Sequence, residues 1–171
     1  MDSLYDREMA APMARELEDV GVKPLTTAEE VEKALGEKTG TTLVVVNSIC
    51  GCAAGSARPG VALALQNTKI PDRMYTVFAG VDREATERAR EHMKDVPPSS
   101  PSVALFKDGE LTFMMPRQYI EGRSEQEVAS ALNEAFDKVC SAEGPSVSRE
   151  RMLAAFGAQD QRCGSELRME K

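Results

Sequence analysis

The stretch TTLVVVNSICGCAAGSARPGVALAL, residues 41–65, decides how the rest of the chain is read. Its first part, TTLVVVNS from Thr41 to Ser48, is a nearly continuous β-branched run, which suits a strand buried on both faces. Its second part is rich in Ala and Leu and reads as a helix to about Leu65. Pro59 is expected to interrupt that helix, because proline has no backbone N–H to donate. Cys50 and Cys52 fall at the junction, with Gly51 between them. A helix N-terminus carries unpaired N–H groups and the positive end of the helix dipole. A thiol held there is acidified below its free value of roughly 8.5, and the thiolate is the form that attacks disulfides. Cys50, at the turn, is expected to be the nucleophile. Cys52, further into the first helical turn, is expected to be the resolving or modulating thiol. Gly51 is expected to permit the tight bend that a disulfide between residues i and i+2 demands.

On the N-terminal side, residues 4–20 show helical periodicity, with Leu4, Met13, Leu17 and Val20 spaced for one face and Gly21 as the stop. Thr27 and Glu30 have capping-box spacing and open a second helix that ends near Gly36. On the C-terminal side, RMYTVFAGV (73–81) reads as a strand, and Asp82 as the cap of a charged helix over 83–94. SVALFKDGELTFMM (102–115) has the pattern of a hairpin turning at Lys107-Asp108-Gly109-Glu110. Ser124 and Glu127 form another capping box. It opens a helix with Val128, Ala131, Leu132, Ala135, Phe136 and Val139 on one face. Strands that alternate with helices and end in a hairpin imply an α/β fold, a central mixed β-sheet with helices on both faces. The compact domain is expected over 1–140. Residues 141–171 read as a C-terminal extension: a linker (SAEGPSVS), one short helix (SRERMLAAF) and a tail without clear period.

Composition narrows the function classes. The chain has 171 residues, a net charge of −7 and no Trp. That charge argues against nucleic acid or an anionic membrane as partner. The longest apolar run, Leu43 to Val46, is far too short to span a bilayer, and the N-terminus lacks a signal-peptide core. A cytoplasmic location is therefore expected. That compartment is reducing, so the cysteines read as reactive or metal-binding rather than as a disulfide framework. Two blander readings compete with a reactive pair. Free cysteines are often small, inert core residues. Zinc and iron–sulfur sites usually take four ligands, and beyond Cys50 and Cys52 only Cys140, Cys163 and His92 offer themselves. There is no second cysteine pair, so no metal is expected.

PPSSPSVALFKDGE (97–110) gives the cysteines a context, because proline beside a strand is confined to edges and starts. PSVALFKDGEL (101–111) resembles the cis-proline strand and turn of thioredoxins. That resemblance implies that Pro101 is cis, with Ser100 before it, and lies beside the thiol where a disulfide-bearing substrate pairs. Pro59 likewise resembles the proline of the thioredoxin active-site helix. Cys-Gly-Cys departs from the thioredoxin Cys-Gly-Pro-Cys, and the preceding Trp is missing. LTTAEEVEKAL (25–35), GTTLVVVNSICGCAAGSARPG (40–60), PPSSPSVALFKDGEL (97–111) and IEGRS (120–124) together resemble the bacilliredoxin family, from about residue 4 to Cys140.

The resemblance implies a thioredoxin-like fold and a thiol–disulfide oxidoreductase. Its partners would be S-thiolated client proteins of the cytoplasm, and its co-substrate bacillithiol, with no resident cofactor. Some family members were also described as disulfide isomerases. Cys50 and Cys52 are then the catalytic residues, and Pro101, Ser100, Gly51, Asn47 and Arg58 the substrate-binding ones. Asn47 and Ser48 end the strand and are placed to hydrogen-bond a thiolate or substrate. Arg58 is expected to meet the acidic part of bacillithiol, and Arg117 and Arg123 to add weaker basic contacts. The extension with Cys163 departs from the family. Two other classes stay open: a general oxidoreductase or isomerase without bacillithiol preference, and a non-enzymatic thioredoxin-like binding module.

Overall fold

The computed structural model describes residues 2–156. Helix α1 (Arg7–Glu18) starts at Asp6, whose carboxylate accepts the Glu8 N–H at 2.7 Å. The helix is shorter than its periodicity predicts, because the cap lies beyond Leu4, which stays 66% exposed. After the short strand β1 (Lys23–Pro24), α2 (Ala28–Leu35) opens on the expected capping box. There the Glu30 N–H donates to Thr27 Oγ1 at 3.1 Å, and the Thr27 N–H donates to Glu30 Oε2 at 3.4 Å. Strand β2 (Thr41–Asn47) is buried along its whole length.

The chain turns helical again at residue 51. It passes through a π turn (Ala53–Ala57), in which the Arg58 N–H reaches back to the Ala53 carbonyl, and continues as α3 (Arg58–Ala64). This wide turn is the form the interruption near Pro59 takes. Next come β3 (Lys69–Ile70), β4 (Arg73–Phe78) and α4 (Arg83–Glu91). Asp82 stands at the N-cap position of α4, but its carboxylate does not cap the helix. It accepts from Arg7 Nη1 at 2.8 Å instead, and its carbonyl takes both the N–H and the hydroxyl of Thr86. β5 (Ser102–Lys107) and β6 (Glu110–Met115) form the hairpin, with Asp108 and Gly109 at φ 50° and 84°. Two positive φ values in succession give the turn that matches strand twist. α5 (Glu125–Val139) opens on the Ser124–Glu127 capping box.

The main sheet runs β1-β4-β2-β5-β6. β1, β4 and β2 are parallel, and β5 and β6 are antiparallel to their neighbours. This is the expected mixed sheet, in thioredoxin-like order. Successive side chains of a strand point to opposite faces, so β2 builds two cores at once. Leu43 and Val45 join Val61 and Ala64 of α3 and Leu132 and Phe136 of α5. Val44 and Val46 join Val31, Leu35, Ala85 and Ala89 from α2 and α4.

Residues 141–148 are tied to the domain where a linker is expected, and the expected short helix forms after them, over 149–156. Strand β7 (Ala142–Glu143) pairs antiparallel with β3, and Ser146 Oγ donates to the Val20 carbonyl at 2.7 Å. A helix over 149–156 sends Met152 and Phe156 into the α3–α5 core. A two-residue strand is too short to leave a periodic signal, so composition alone read this stretch as a linker. The tail beyond 156, with Cys163, lies outside the described residues. Among the described residues no helix is long and apolar enough to cross a membrane.

Candidate active site

The register of the sheet brings three segments to one end. Asn47, the last residue of β2, lies opposite Phe78 of β4, and Val46 lies opposite Ser102 of β5. Val103 of β5 in turn pairs with Met115 at the end of β6. The turn 48–52, the loop 99–101 and residues 116–117 therefore meet at the carboxyl end of β2.

Cys50 and Cys52 are free thiols, both partly buried. The Cys50 carbonyl accepts the N–H groups of Ala53 and Ala54 at 3.1 and 3.2 Å, so Cys50 stands at the mouth of the helix. The Ser48 hydroxyl donates to Cys50 Sγ at 3.0 Å, and Cys52 Sγ lies 2.9 Å from Cys50 Sγ. Burial works to raise the Cys50 thiol. The thiol of Cys52, the hydroxyl of Ser48, the N–H of Ala53 and the charge of Arg117 outweigh it and hold Cys50 below the ordinary thiol range. Cys52 goes the other way. Burial, the bond it donates to Cys50 and the developing charge there push it up; Glu121 adds to this and Arg117 opposes it.

Arg117, in the short 3₁₀ turn Arg117–Tyr119 after β6, is fixed against the proline loop. Its backbone N–H donates to Ser99 Oγ at 3.1 Å, and its Nη1 to the Ser100 carbonyl at 3.4 Å. Its Nε lies 3.5 Å from Glu121 Oε2, and its side chain is 43% exposed. Negative charge on the cysteine pair when it ionises, followed by the Glu121 carboxylate, holds its guanidinium even more firmly protonated than usual.

The expected site residues divide into two groups. The Ser100–Pro101 peptide is cis and leads directly into β5 at the cysteine end of the sheet. Ser48 reaches the sulfur. Gly51 lies in the first helical turn with φ outside the left-handed region, and an added Cβ would meet nothing within 4 Å. The reduced pair therefore does not require glycine there; the bend argued for Gly51 concerns the disulfide form.

Asn47 and Arg58 depart from expectation, because both are buried behind the turn. Asn47 Oδ1 accepts from the Ser48 N–H at 2.9 Å and from Arg58 Nη1 at 3.1 Å. Arg58, 2% exposed, donates its Nε to Glu16 Oε2 at 2.6 Å and its Nη1 to the Ser48 carbonyl at 2.9 Å. The two side chains brace the backbone under Cys50 and present no face to a ligand.

Arg123 sits with its guanidinium 5.9 Å from the Tyr119 ring centre. The cation at the sulfurs is thus Arg117, which the sequence reading ranked below Arg58. Its signal was positional: it follows the strand that pairs with the proline-led strand.

The other candidate metal ligands are scattered. Cys140 is buried at the end of α5, apart from the pair, and His92 Nε2 lies 3.1 Å from Glu32 Oε1. Among the described residues, no group of three or more His, Cys, Asp or Glu side chains is placed to hold a metal ion.

A dithiol at the strand-to-helix turn of this mixed sheet, with a cis-proline loop beside it, defines a thioredoxin-like dithiol protein. The pattern of the family described as "Disulphide isomerase" matches residues 5–140. The bacilliredoxin of Cytophaga hutchinsonii is 48% identical over 136 residues, which cover 80% of this chain and 100% of that protein. The bacilliredoxin of Bacillus licheniformis is 50% identical over 137 residues, covering 80% and 95%. Among solved structures, the thioredoxin of Fasciola hepatica superposes with a TM-score of 0.47 at 21% identity, covering 69% of this chain and 99% of that one. The chain belongs to the bacilliredoxin family, and its role lies in thiol–disulfide redox chemistry.

Proposed function

We propose that this protein is an oxidoreductase that removes bacillithiol from mixed disulfides on cytoplasmic client proteins, with Cys50 as the nucleophile. The observation that carries the reading is the asymmetry of the pair: donors converge on Cys50 and favour its thiolate, while Cys52 is held as a thiol. In the first step the Cys50 thiolate attacks the bacillithiol sulfur. The mixed disulfide breaks, the client leaves as a thiolate and takes up a proton, and bacillithiol is now bonded to Cys50. Two second steps balance. Cys52 gives up its proton and attacks Cys50 Sγ, which expels bacillithiol thiolate and leaves a Cys50–Cys52 disulfide. Alternatively, a free bacillithiol thiolate attacks the bound bacillithiol sulfur, which yields bacillithiol disulfide and regenerates Cys50. The raised Cys52 thiol supports the external route. No resident cofactor takes part.

The test is the intact mass of fully reduced enzyme mixed briefly with a bacillithiol-modified client and quenched in acid. A bacillithiol adduct on Cys50 together with released client is expected. Absence of both would overturn the assignment. The family description favours one second reading, a disulfide isomerase without bacillithiol preference. Equal turnover of scrambled disulfides, glutathione adducts and bacillithiol adducts would select it.

A further inference from the structure

With Arg58 buried against Glu16, the cation available to a substrate at the sulfurs is Arg117. The chain carries a net charge of −7, so an anionic substrate meets general repulsion unless a local cation offsets it. We propose that Arg117 is the anion-recognition residue of this site: its guanidinium binds a carboxylate on the small-thiol half of the mixed disulfide, and Glu121 competes for the same guanidinium. The inference rests on the reading that a small thiol becomes bonded to Cys50.

The geometry supports it in three ways. Arg117 is anchored rather than swinging free, by its N–H on Ser99 Oγ and its Nη1 on the Ser100 carbonyl. The residues that anchor it, Ser99 and Ser100, lead into Pro101 and β5 at the carboxyl end of β2, the end at which Cys50 stands, so a group bonded to Cys50 emerges on the side of the molecule that carries Arg117. A guanidinium has five N–H donors in a planar fork suited to a carboxylate. The contacts to Ser100 and Glu121 use two of them, and the Glu121 contact is long, at 3.5 Å, between two half-exposed side chains. A contact of that kind contributes little and is readily exchanged. An incoming carboxylate can therefore replace Glu121 without dismantling the loop.

Charge preference can be read directly by alkylating Cys50 with iodoacetate, which is anionic, and iodoacetamide, which is neutral. Each rate is taken at the plateau of its own pH profile, with Cys50 resolved from Cys52 by peptide mass. The ratio of the two rates then cancels any change in ionisation or in the overall exposure of the sulfur. In R117Q the iodoacetate-to-iodoacetamide ratio is expected to fall about fivefold, the upper range for a half-exposed pair. In E121Q it is expected to rise. Both changes should shrink in about 0.5 M salt. If the two rates fall together in R117Q and neither variant moves the ratio, Arg117 only positions the proline loop and the inference is overturned. Should R117Q fail to fold, E121Q decides alone, a raised ratio in support and an unchanged one against. An unchanged ratio beside a bacillithiol adduct on Cys50 or released client defeats this inference only; absence of both adduct and released client defeats the de-thiolation reading whatever the ratio.

Discussion

Cys50 and Cys52 are separated by one residue and their sulfurs by 2.9 Å, yet their surroundings treat them oppositely. The difference lies in who donates. Ser48, Ala53 and Cys52 all direct a donor at Cys50, so removing one of them weakens the thiolate. Ser48→Ala is expected to move the midpoint of Cys50 alkylation to higher pH. The sign follows from the depressed thiol: reactivity is present above the midpoint and is lost as pH falls through it. An unmoved or lowered midpoint would count against the hydroxyl's role. Cys50→Ser should abolish de-thiolation, whereas Cys52→Ser should keep most of the turnover supported by free bacillithiol; the reverse pattern exchanges the two roles. The sequence made this pair legible because the β-branched run and the Ala-rich run bracket it. It misplaced the cation for a physical reason. An α-helix turns about 100° per residue, and the π turn Ala53–Ala57 adds a residue before Arg58. A plain helical count therefore points Arg58 to the wrong side. Arg117 lies beyond a strand end, where no period marks direction.

At the scale of elements, the active-site helix is held by one ion pair and one close approach. Arg58 ties α3 to Glu16 of α1 and to the backbone at the end of β2. Breaking a buried pair by removing one partner leaves an uncompensated charge and costs roughly 3 kcal/mol or more. Glu16 is partly exposed, at 21%, so Arg58→Met is expected to cost about 3 kcal/mol in urea unfolding, the lower end of that range. A loss within error would remove the brace from the account. Gly60 is where α3 meets α5. A Cβ there would fall 2.6 Å from Val128 Cγ1 and 3.2 Å from the Glu125 carbonyl. Gly60→Ala should destabilise by about 1–3 kcal/mol through overpacking, whereas Gly51→Ala should leave the melting point of the reduced protein unchanged or slightly raised. Both capping boxes were readable, since Thr27–Glu30 and Ser124–Glu127 are local in sequence. Asp82 was misread because its partner, Arg7, lies 75 residues away.

For the whole molecule, the alternation of Leu43, Val44, Val45 and Val46 sets one core on each face of the sheet, and this was legible from the run itself. The packing of residues 141–156 was not, because its contacts are with distant partners: Val20, Leu65, Gln66 and Ile70. Met152 and Phe156 are buried there. Burying such a side chain contributes about 1.5–3 kcal/mol, so deletion of 141–171 should lower stability by roughly 3–6 kcal/mol. A truncated chain that melts with the full one would show these contacts to be idle.

Cys140, where α5 gives way to this segment, is 5% exposed, and burial pushes its thiol up. The folded protein keeps that proton where the unfolded chain releases it, so this contribution to stability declines as pH rises above roughly 8.5. An alkylating reagent reaches Cys140 only when the end of α5 opens, and its labelling rate becomes the opening equilibrium multiplied by the rate of a free thiol. The chain thus carries its own stopwatch: one sample, one reagent and two cysteines, with Cys50 keeping the time of the chemistry and Cys140 the time of the scaffold's breathing.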